Sequence, residues 1–117
     1  MKALIIDDEN DICYLLSKLL NQKNLETAFV NTLSDATLEL KKSNPAIIFL
    51  DNHLSDGLGI NFLKYIKLHS PASKIVMITA HDMNNDMNRA LKEGADYFIG
   101  KPFSRDMINK TVDKLLN

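Results

Sequence analysis

The sequence has few of the residues that cross-link or interrupt a chain. Its single cysteine, Cys13, excludes an internal disulfide and any metal site built from several cysteines. Its three prolines and four glycines are scattered, so no linker is visible and one domain over residues 1–117 is expected. No apolar run is long enough to cross a bilayer, and the N-terminus lacks a signal-peptide core. We therefore expect a reduced, cytoplasmic protein.

Neither sign of charge dominates the sequence. Fourteen Lys and Arg residues stand against fifteen Asp and Glu residues, which gives a net charge of -1. A bulk electrostatic attraction to nucleic acid or to an anionic membrane is therefore not expected. Hydrophobic residues make up 45% of the chain and charged residues 25%, a composition that excludes disorder and supplies a core.

Short apolar runs alternate with segments whose apolar residues recur at helical spacing. The runs predict five strands at residues 3–6, 25–30, 46–50, 75–78 and 96–99. A helix is expected after each strand, with Ser34 and Ser104 as N-caps of the second and fifth helices and Gly94 just after the fourth. Five side chains of the last helix are expected to point inward: Met107, Ile108, Val112, Leu115 and Leu116.

This alternation predicts an α/β fold. The first, third and fourth strands are continuously apolar, which is typical of parallel strands covered on both faces. Because crossover connections are right-handed, the pattern fits a single-domain, flavodoxin-like doubly wound (βα)5 fold with parallel sheet order 2-1-3-4-5. Ligands of such sheets bind at the carboxyl ends of the strands, near the switch point between strands one and three.

Polar residues stand where four of the predicted strands end. Asp7 and Asp8 follow the first strand, and Asp51 follows the third. Thr79 closes the fourth strand, and Lys101 comes after the fifth. Because parallel strands end at the same edge of a sheet, we expect these side chains to converge.

Converging carboxylates need a counter-charge. Two unit charges ~4 Å apart repel by about 4 kcal/mol at an effective dielectric constant of about 20. A lysine ammonium and Mg²⁺, which prefers oxygen ligands and accepts a phosphate oxygen, would both offset this repulsion. Asp51 is then a candidate nucleophile that forms an aspartyl phosphate, with Lys101 and the Thr79 hydroxyl holding the phosphoryl oxygens. Each residue alone has an ordinary structural explanation, and their conjunction favours the functional one.

The same motifs resemble the receiver domain of bacterial two-component response regulators. They are LIIDDE at 4–9, IFLD at 48–51, MITA at 77–80, GADYF at 94–98 and KPF at 101–103, and the likeness covers the whole chain. The resemblance implies that Asp51 accepts a phosphoryl group from the phosphohistidine of a sensor histidine kinase or phosphotransfer protein. It also implies that Asp8, Asp51 and the backbone carbonyl of His53 bind Mg²⁺, with Asp7 acting through water.

The resemblance further implies a conformational switch. Thr79 would rotate toward the phosphoryl group, and Phe98, at the switch aromatic position, would turn inward with it. The face made by the fourth helix, fifth strand and fifth helix would then bind a downstream output domain or protein, or a second copy as a homodimer. Such a protein catalyses only its own phosphorylation and dephosphorylation, and the Lys101–Pro102 peptide bond is expected to be cis.

The sequence departs from the family pattern at three positions. Ser55 replaces the usual proline, which predicts a looser loop after Asp51, and Phe98 lacks the hydroxyl of the common tyrosine. Gly100 stands where a branched apolar residue is frequent, which predicts a looser strand end before Lys101.

The roles of two histidines and two methionines stay open between a functional and a structural interpretation. His53 and His81 either flank the route of a hydrolytic water or face solvent. Met83 and Met87 share a face of the fourth helix, where they form either core packing or an adaptable partner surface.

Two other functions compete with the phosphoryl switch. A Mg²⁺-dependent phosphatase of the haloacid dehalogenase kind also uses a strand-end Asp, a Thr and a Lys. It needs a second acid two residues past the nucleophile, where this sequence has His53. A receiver-like interaction module that is never phosphorylated is the other alternative, and the complete set of acids argues against it.

Overall fold

The computed structural model describes residues 1–80 and 83–117, and the side chains of residues 83–86 lie outside that description. The predictions for His81 and for the side chain of Met83 fall outside the described residues. The strands of the main sheet are β1 (Lys2–Ile6), β2 (Glu26–Val30), β3 (Ile47–Asp51), β6 (Lys74–Thr79) and β7 (Tyr97–Gly100). Two short strands, β4 (His53–Leu54) and β5 (Gly57–Leu58), form an antiparallel hairpin between β3 and β6. The helices are α1 (Asn10–Gln22), α2 (Leu33–Lys42), α3 (Leu63–His69), α4 (Met83–Lys92) and α5 (Arg105–Leu116), and a 3₁₀ turn covers Gly59–Phe62.

The five long strands form one parallel sheet in the order β2-β1-β3-β6-β7. This is the predicted order 2-1-3-4-5, because the β4–β5 hairpin raises the numbers of the last two sheet strands. The flavodoxin-like fold class is therefore confirmed. β3 is the central strand and all five of its residues are buried, as its continuous apolar run predicts.

The core is divided between the two faces of the sheet. One cluster joins Ile48 and Leu50 of β3 to buried residues of α2, α3 and α4, among them Leu63. The other joins Ile47 and Phe49 to buried residues of α1 and α5. Side chains of a strand alternate between faces, so a strand covered on both sides must be apolar at every position. Among the described residues, no helix combines the length and the apolarity needed to cross a bilayer.

The start of α2 differs from the sequence prediction. The N-cap is Thr32, whose Oγ1 accepts a hydrogen bond from the backbone N–H of Asp35 at 3.0 Å. Ser34 lies inside the helix, and its backbone N–H donates to the carboxylate of Asp56. Ser34 as the N-cap is therefore wrong, because Thr and Ser both cap well and the sequence around them does not show where the helix begins.

The last helix confirms its predicted cap but not its full predicted stripe. The hydroxyl oxygen of Ser104 accepts a hydrogen bond from the backbone N–H of Met107 at 3.2 Å. Ile108 and Val112 are buried four residues apart, with Thr111 between them. Met107 lies beside this stripe and is 41% exposed, so its predicted inward orientation is wrong. Leu115 and Leu116 are half-buried against the same core.

Candidate functional site

Three carboxylates meet at the carboxyl ends of β1 and β3. Parallel pairing of Ile6 with Leu50 places the next residues of both strands side by side. One carboxylate oxygen from each of Asp7, Asp8 and Asp51 lies within 4.8 Å of the others. Asp7 and Asp51 are buried, whereas Asp8 is exposed. The sequence predicts this convergence, and the geometry brings all three acids together.

Lys101 reaches into the acidic cluster from the end of β7. Its Nζ lies 3.0 Å from Asp7 Oδ2 and 3.7 Å from Asp51 Oδ1. At the strand end before it, Gly100 pairs with Thr79, and the Lys101 backbone N–H donates to the Thr79 carbonyl oxygen at 2.9 Å. Lys101 thus reaches the acids with Gly100 before it, and the looser strand end expected from Gly100 stays a prediction. The Lys101–Pro102 peptide bond is cis.

Glu9 also binds Lys101, at 2.9 Å between Oε1 and Nζ. Its backbone N–H donates to Asp7 Oδ1 at 2.9 Å. Sequence reasoning placed Glu9 within a motif but gave it no role. Its position directly after Asp7 and Asp8 could have indicated a role, because a lysine that neutralises these two acids also lies within reach of the next one.

Burial controls the electrostatics of the cluster. The pKa of Asp51 is raised to about 6: desolvation is the largest cause, the charge of Asp7 adds to it, and Lys101 opposes both. Desolvation also raises the pKa of Asp7, although the Glu9 N–H and Lys101 act in the opposite direction. Burial lowers the pKa of Lys101, but its hydrogen bonds to Glu9 and Asp7 and the negative charges of Asp51 and Asp7 together outweigh burial, and the net shift is upward. The cluster therefore carries more negative charge than one ammonium group compensates.

Thr79 and His53 lie at the same edge of the sheet. Thr79 ends β6, fully buried, and β6 pairs with the end of β3 through Asp51 and Ile78. The His53 side chain is exposed, and its backbone N–H donates a hydrogen bond to the Asp51 carboxylate that lowers the pKa of that group. Both residues thus lie where the sequence places them.

A cavity of about 270 Å³ opens above Asp51. It is lined by Asp8, Glu9, Asp51, His53, Ala80 and Lys101. A water molecule occupies ≈ 30 Å³ of liquid, so the cavity has room for a hydrated cation and a phosphoryl group together. The cluster offers only oxygen donors, which are the ligands that Mg²⁺ prefers. The residues present therefore fit Mg²⁺.

Two further expectations concern the loop after Asp51 and the aromatic residue of β7. Ser55 lies in the turn of the β4–β5 hairpin, whose strands pair His53 with Leu58, and the looser loop expected from Ser55 stays a prediction. Phe98 is 8% exposed and packs in the core cluster that contains Met77 and Ala90. The side chain is therefore already inward in this structure, which does not test whether it moves together with Thr79, and that coupling stays a prediction.

Comparison with known proteins gives a consistent result. The model of the response regulator receiver domain family matches residues 3–113. The chain is 33% identical over 111 residues to the response regulator protein PilR of Pseudomonas aeruginosa, covering 95% of this chain and 25% of that protein. It is 34% identical over 105 residues to the phosphate regulon regulatory protein PhoB of Escherichia coli, covering 88% of this chain and 46% of that protein. The chain thus spans a quarter to about half of the length of these relatives.

Solved structures show the same likeness. The beryllofluoride-activated NtrC4 receiver domain dimer superposes with a TM-score of 0.92 at 33% identity, covering 97% of this chain and 94% of that one. A two-component response regulator from Clostridium difficile superposes with a TM-score of 0.94 at 28% identity, covering 99% of this chain and 95% of that one.

Proposed function

Because this chain belongs to the response regulator receiver domain family, we propose that Asp51 is its phosphoacceptor and that phosphorylation of Asp51 operates the switch. The observation that carries the proposal is the position of Asp51. It is a buried carboxylate at the end of the central strand, open to a polar cavity and 3.7 Å from the Lys101 ammonium. Asp7 is the other buried strand-end carboxylate among the described residues, but it does not line the cavity.

The reaction is a phosphoryl transfer to a carboxylate oxygen. A carboxylate oxygen of Asp51 attacks the phosphorus while the bond from phosphorus to the donor's imidazole nitrogen breaks and its electron pair returns to that nitrogen. Burial raises the pKa of Asp51 to about 6, so the group is still mostly ionised and nucleophilic near neutral pH. The same desolvation weakens competition from water for the attacking oxygen.

The remaining residues manage charge. Asp8, Asp51 and the His53 backbone carbonyl would hold Mg²⁺, with Asp7 acting through water, and the cation would neutralise charge on the transferring group. Lys101 supplies a second positive charge within the cluster. The Thr79 hydroxyl would donate a hydrogen bond to a phosphoryl oxygen.

The proposed output surface is the face made by α4, β7 and α5. Between β7 and α5 lies a groove of about 200 Å³, lined by Tyr97, Met107 and Lys114 among others. Tyr97 and Met107 are both more than one-third exposed. We propose that this face binds a downstream output domain or a second copy of the chain, and that a sensor histidine kinase or phosphotransfer protein supplies the phosphoryl group.

The two competing functions are less well supported. The second acid that a haloacid dehalogenase-like phosphatase needs is replaced by His53, whose side chain is exposed. A module that is never phosphorylated has no use for three acids and a lysine gathered in one cavity, because that arrangement costs electrostatic repulsion.

The test is covalent labelling of Asp51. With acetyl phosphate and Mg²⁺, intact-mass spectrometry should detect one phosphoryl group on the wild-type chain and none on Asp51→Asn. Wild-type turnover of a small phosphate ester would instead favour the phosphatase. Absence of both labelling and Mg²⁺-dependent beryllofluoride binding in the wild type would leave the interaction module.

A further inference from the structure

Loop 52–60 runs from the end of β3 into the first residues of the 3₁₀ turn, and a buried side chain holds its beginning. Asn52 is 3% exposed and directly follows Asp51. Its Oδ1 accepts a hydrogen bond from the backbone N–H of Ile60 at 2.9 Å, and its carbonyl oxygen accepts one from Gly59 at 2.8 Å. A single residue therefore ties the beginning of the loop to its end.

The close approach of the loop end to β3 requires glycine at position 59. A Cβ added to Gly59 would lie 2.3 Å from the Asp51 carbonyl oxygen, far inside van der Waals contact. The end of the loop thus packs directly on the main chain of the proposed phosphoacceptor. A shift of the Asn52 anchor would therefore disturb the contact between Gly59 and the Asp51 main chain.

The outer end of the loop is held by Asp56. Its carboxylate accepts hydrogen bonds from the backbone N–H groups of Leu33 at 2.9 Å and of Ser34 at 3.0 Å. These N–H groups belong to the first turn of α2, where no intrahelical acceptor is available. The two hydrogen bonds lower the pKa of Asp56, which keeps it ionised and acceptor-only. The hairpin is thereby joined to a helix that carries no residue of the acidic cluster.

From these contacts we infer that Asn52 and Asp56 are positioning residues, which fix loop 52–60 so that the His53 main chain stays against the Asp51 carboxylate. The His53 backbone N–H is a hydrogen-bond donor to that carboxylate. The inference deepens the proposed function and rests on it, since it concerns the loop beside the proposed phosphoacceptor.

The experiment compares Asn52→Leu, Asp56→Ala and Asp56→Asn with the wild type. Leucine keeps the approximate volume of Asn52 and removes the acceptor, while asparagine at 56 keeps an acceptor oxygen. The matched control is Asp35→Ala, because Asp35 is an exposed acid in the same first turn of α2 and its loss changes the charge equally. All variants are titrated with Mg²⁺ by NMR in the absence of any phosphoryl donor.

We expect Asn52→Leu to weaken Mg²⁺ binding roughly tenfold, the effect typical of losing a residue that orients a metal ligand. Amide hydrogen exchange at Gly59 and Ile60 should accelerate, while the amides of β1 stay protected. Asp56→Ala should weaken Mg²⁺ binding less than Asn52→Leu, Asp56→Asn should recover part of that loss, and Asp35→Ala should bind Mg²⁺ like the wild type. Labelling by acetyl phosphate should slow at low Mg²⁺ and recover at saturating Mg²⁺.

A folded Asn52→Leu variant that binds Mg²⁺ with wild-type affinity would overturn the inference. If Asn52→Leu does not fold, the two variants of the exposed Asp56 provide the test. Equal Mg²⁺ affinity in Asp56→Ala, Asp56→Asn and the wild type would then overturn the inference. Failure of the proposed function looks different, because then the wild type itself binds Mg²⁺ without being labelled at Asp51.

Discussion

Lys101 lies closer to Glu9 than to Asp51: its Nζ is 2.9 Å from Glu9 Oε1 and 3.7 Å from Asp51 Oδ1. The lysine proposed to assist phosphoryl transfer is thus shared with an acid at the mouth of the cavity. The Glu9 side chain is 59% exposed, and ion pairs with an exposed partner contribute only about 0–1 kcal/mol. An incoming phosphoryl group can therefore displace Glu9 at low cost.

Glu9→Gln should raise the initial rate of labelling by acetyl phosphate about two- to fivefold, which corresponds to the energy of one such ion pair. The physical reason is that Lys101 is released toward Asp51 and the anionic donor meets one negative charge fewer. Labelling is followed by intact-mass spectrometry at saturating Mg²⁺. The control is Asp11→Asn, which removes an exposed charge from the first turn of α1. An equal rise in the control would attribute the effect to net charge and contradict a specific role of Glu9.

The raised pKa of Asp51 predicts a pH-dependent stability. The folded-state pKa of about 6 exceeds the ordinary value of 3.8, so the folded chain binds a proton that the unfolded chain has released between these pH values. The free energy of unfolding should therefore fall as pH rises from about 4 to about 6, by at most about 3 kcal/mol from this group.

Asp51→Asn should lack this dependence and be more stable than the wild type at pH 7.5 in EDTA. Urea denaturation across this pH range gives the comparison, and the difference between the two proteins should shrink below pH 5. A difference that stays constant with pH would show that Asp51 is not the titrating group.

Asp8→Ala should weaken Mg²⁺ binding more than Asp7→Ala. The Asp7 carboxylate is already engaged by Lys101 at 3.0 Å and by the Glu9 N–H at 2.9 Å, whereas Asp8 is exposed in the cavity wall. Isothermal titration with MgCl₂ measures both variants, with Asp11→Ala as a control of equal charge. The opposite order would make Asp7 the direct ligand.

Phe98→Ala should leave the labelling of Asp51 largely unchanged and reduce the conformational response to it. Phe98 packs in the cluster that contains Met77 of β6 and Ala90 of α4, so it connects the strand of Thr79 to the proposed output face. The measurement is the change in backbone NMR shifts of residues 87–110 on adding Mg²⁺ and beryllofluoride. Phe98→Leu, which fills most of the same volume, should retain the response. A full wild-type shift pattern in Phe98→Ala would make Phe98 core packing only.

The sequence predicts well the features that depend on short local patterns, namely apolar runs, the polar residues that end them and helix caps. Apolar runs ending in Asp7, Asp51 and Thr79 predict the parallel sheet, its order and the edge at which these side chains meet. The cap at Ser104 follows from the same kind of local signal. The strand-end rule then places the acidic cluster because topology alone decides which ends are neighbours.

The features that the sequence does not show depend on contacts between distant segments. Asp56 meets the start of α2 only after the hairpin and the helix have packed, and that contact accompanies a helix beginning at Leu33. Lys101 binds Glu9 across 92 positions of the chain, so no local pattern indicates the pair. Met107 has the residue type of a core position, and only the rotation of α5 leaves it exposed.

The close approach of Gly59 to the Asp51 carbonyl oxygen also limits how this chain can diverge. In a saturation library, position 59 should tolerate no other amino acid, because a Cβ there would lie 2.3 Å from the Asp51 carbonyl oxygen. A buried position with a larger side chain can be substituted by residues of similar size. At position 59 the space that a side chain would need is already occupied by backbone, so no substitution of similar size exists. Glycine should therefore be invariant at position 59. The cause would be the steric constraint from the end of β3, and not a direct role of Gly59 in the reaction.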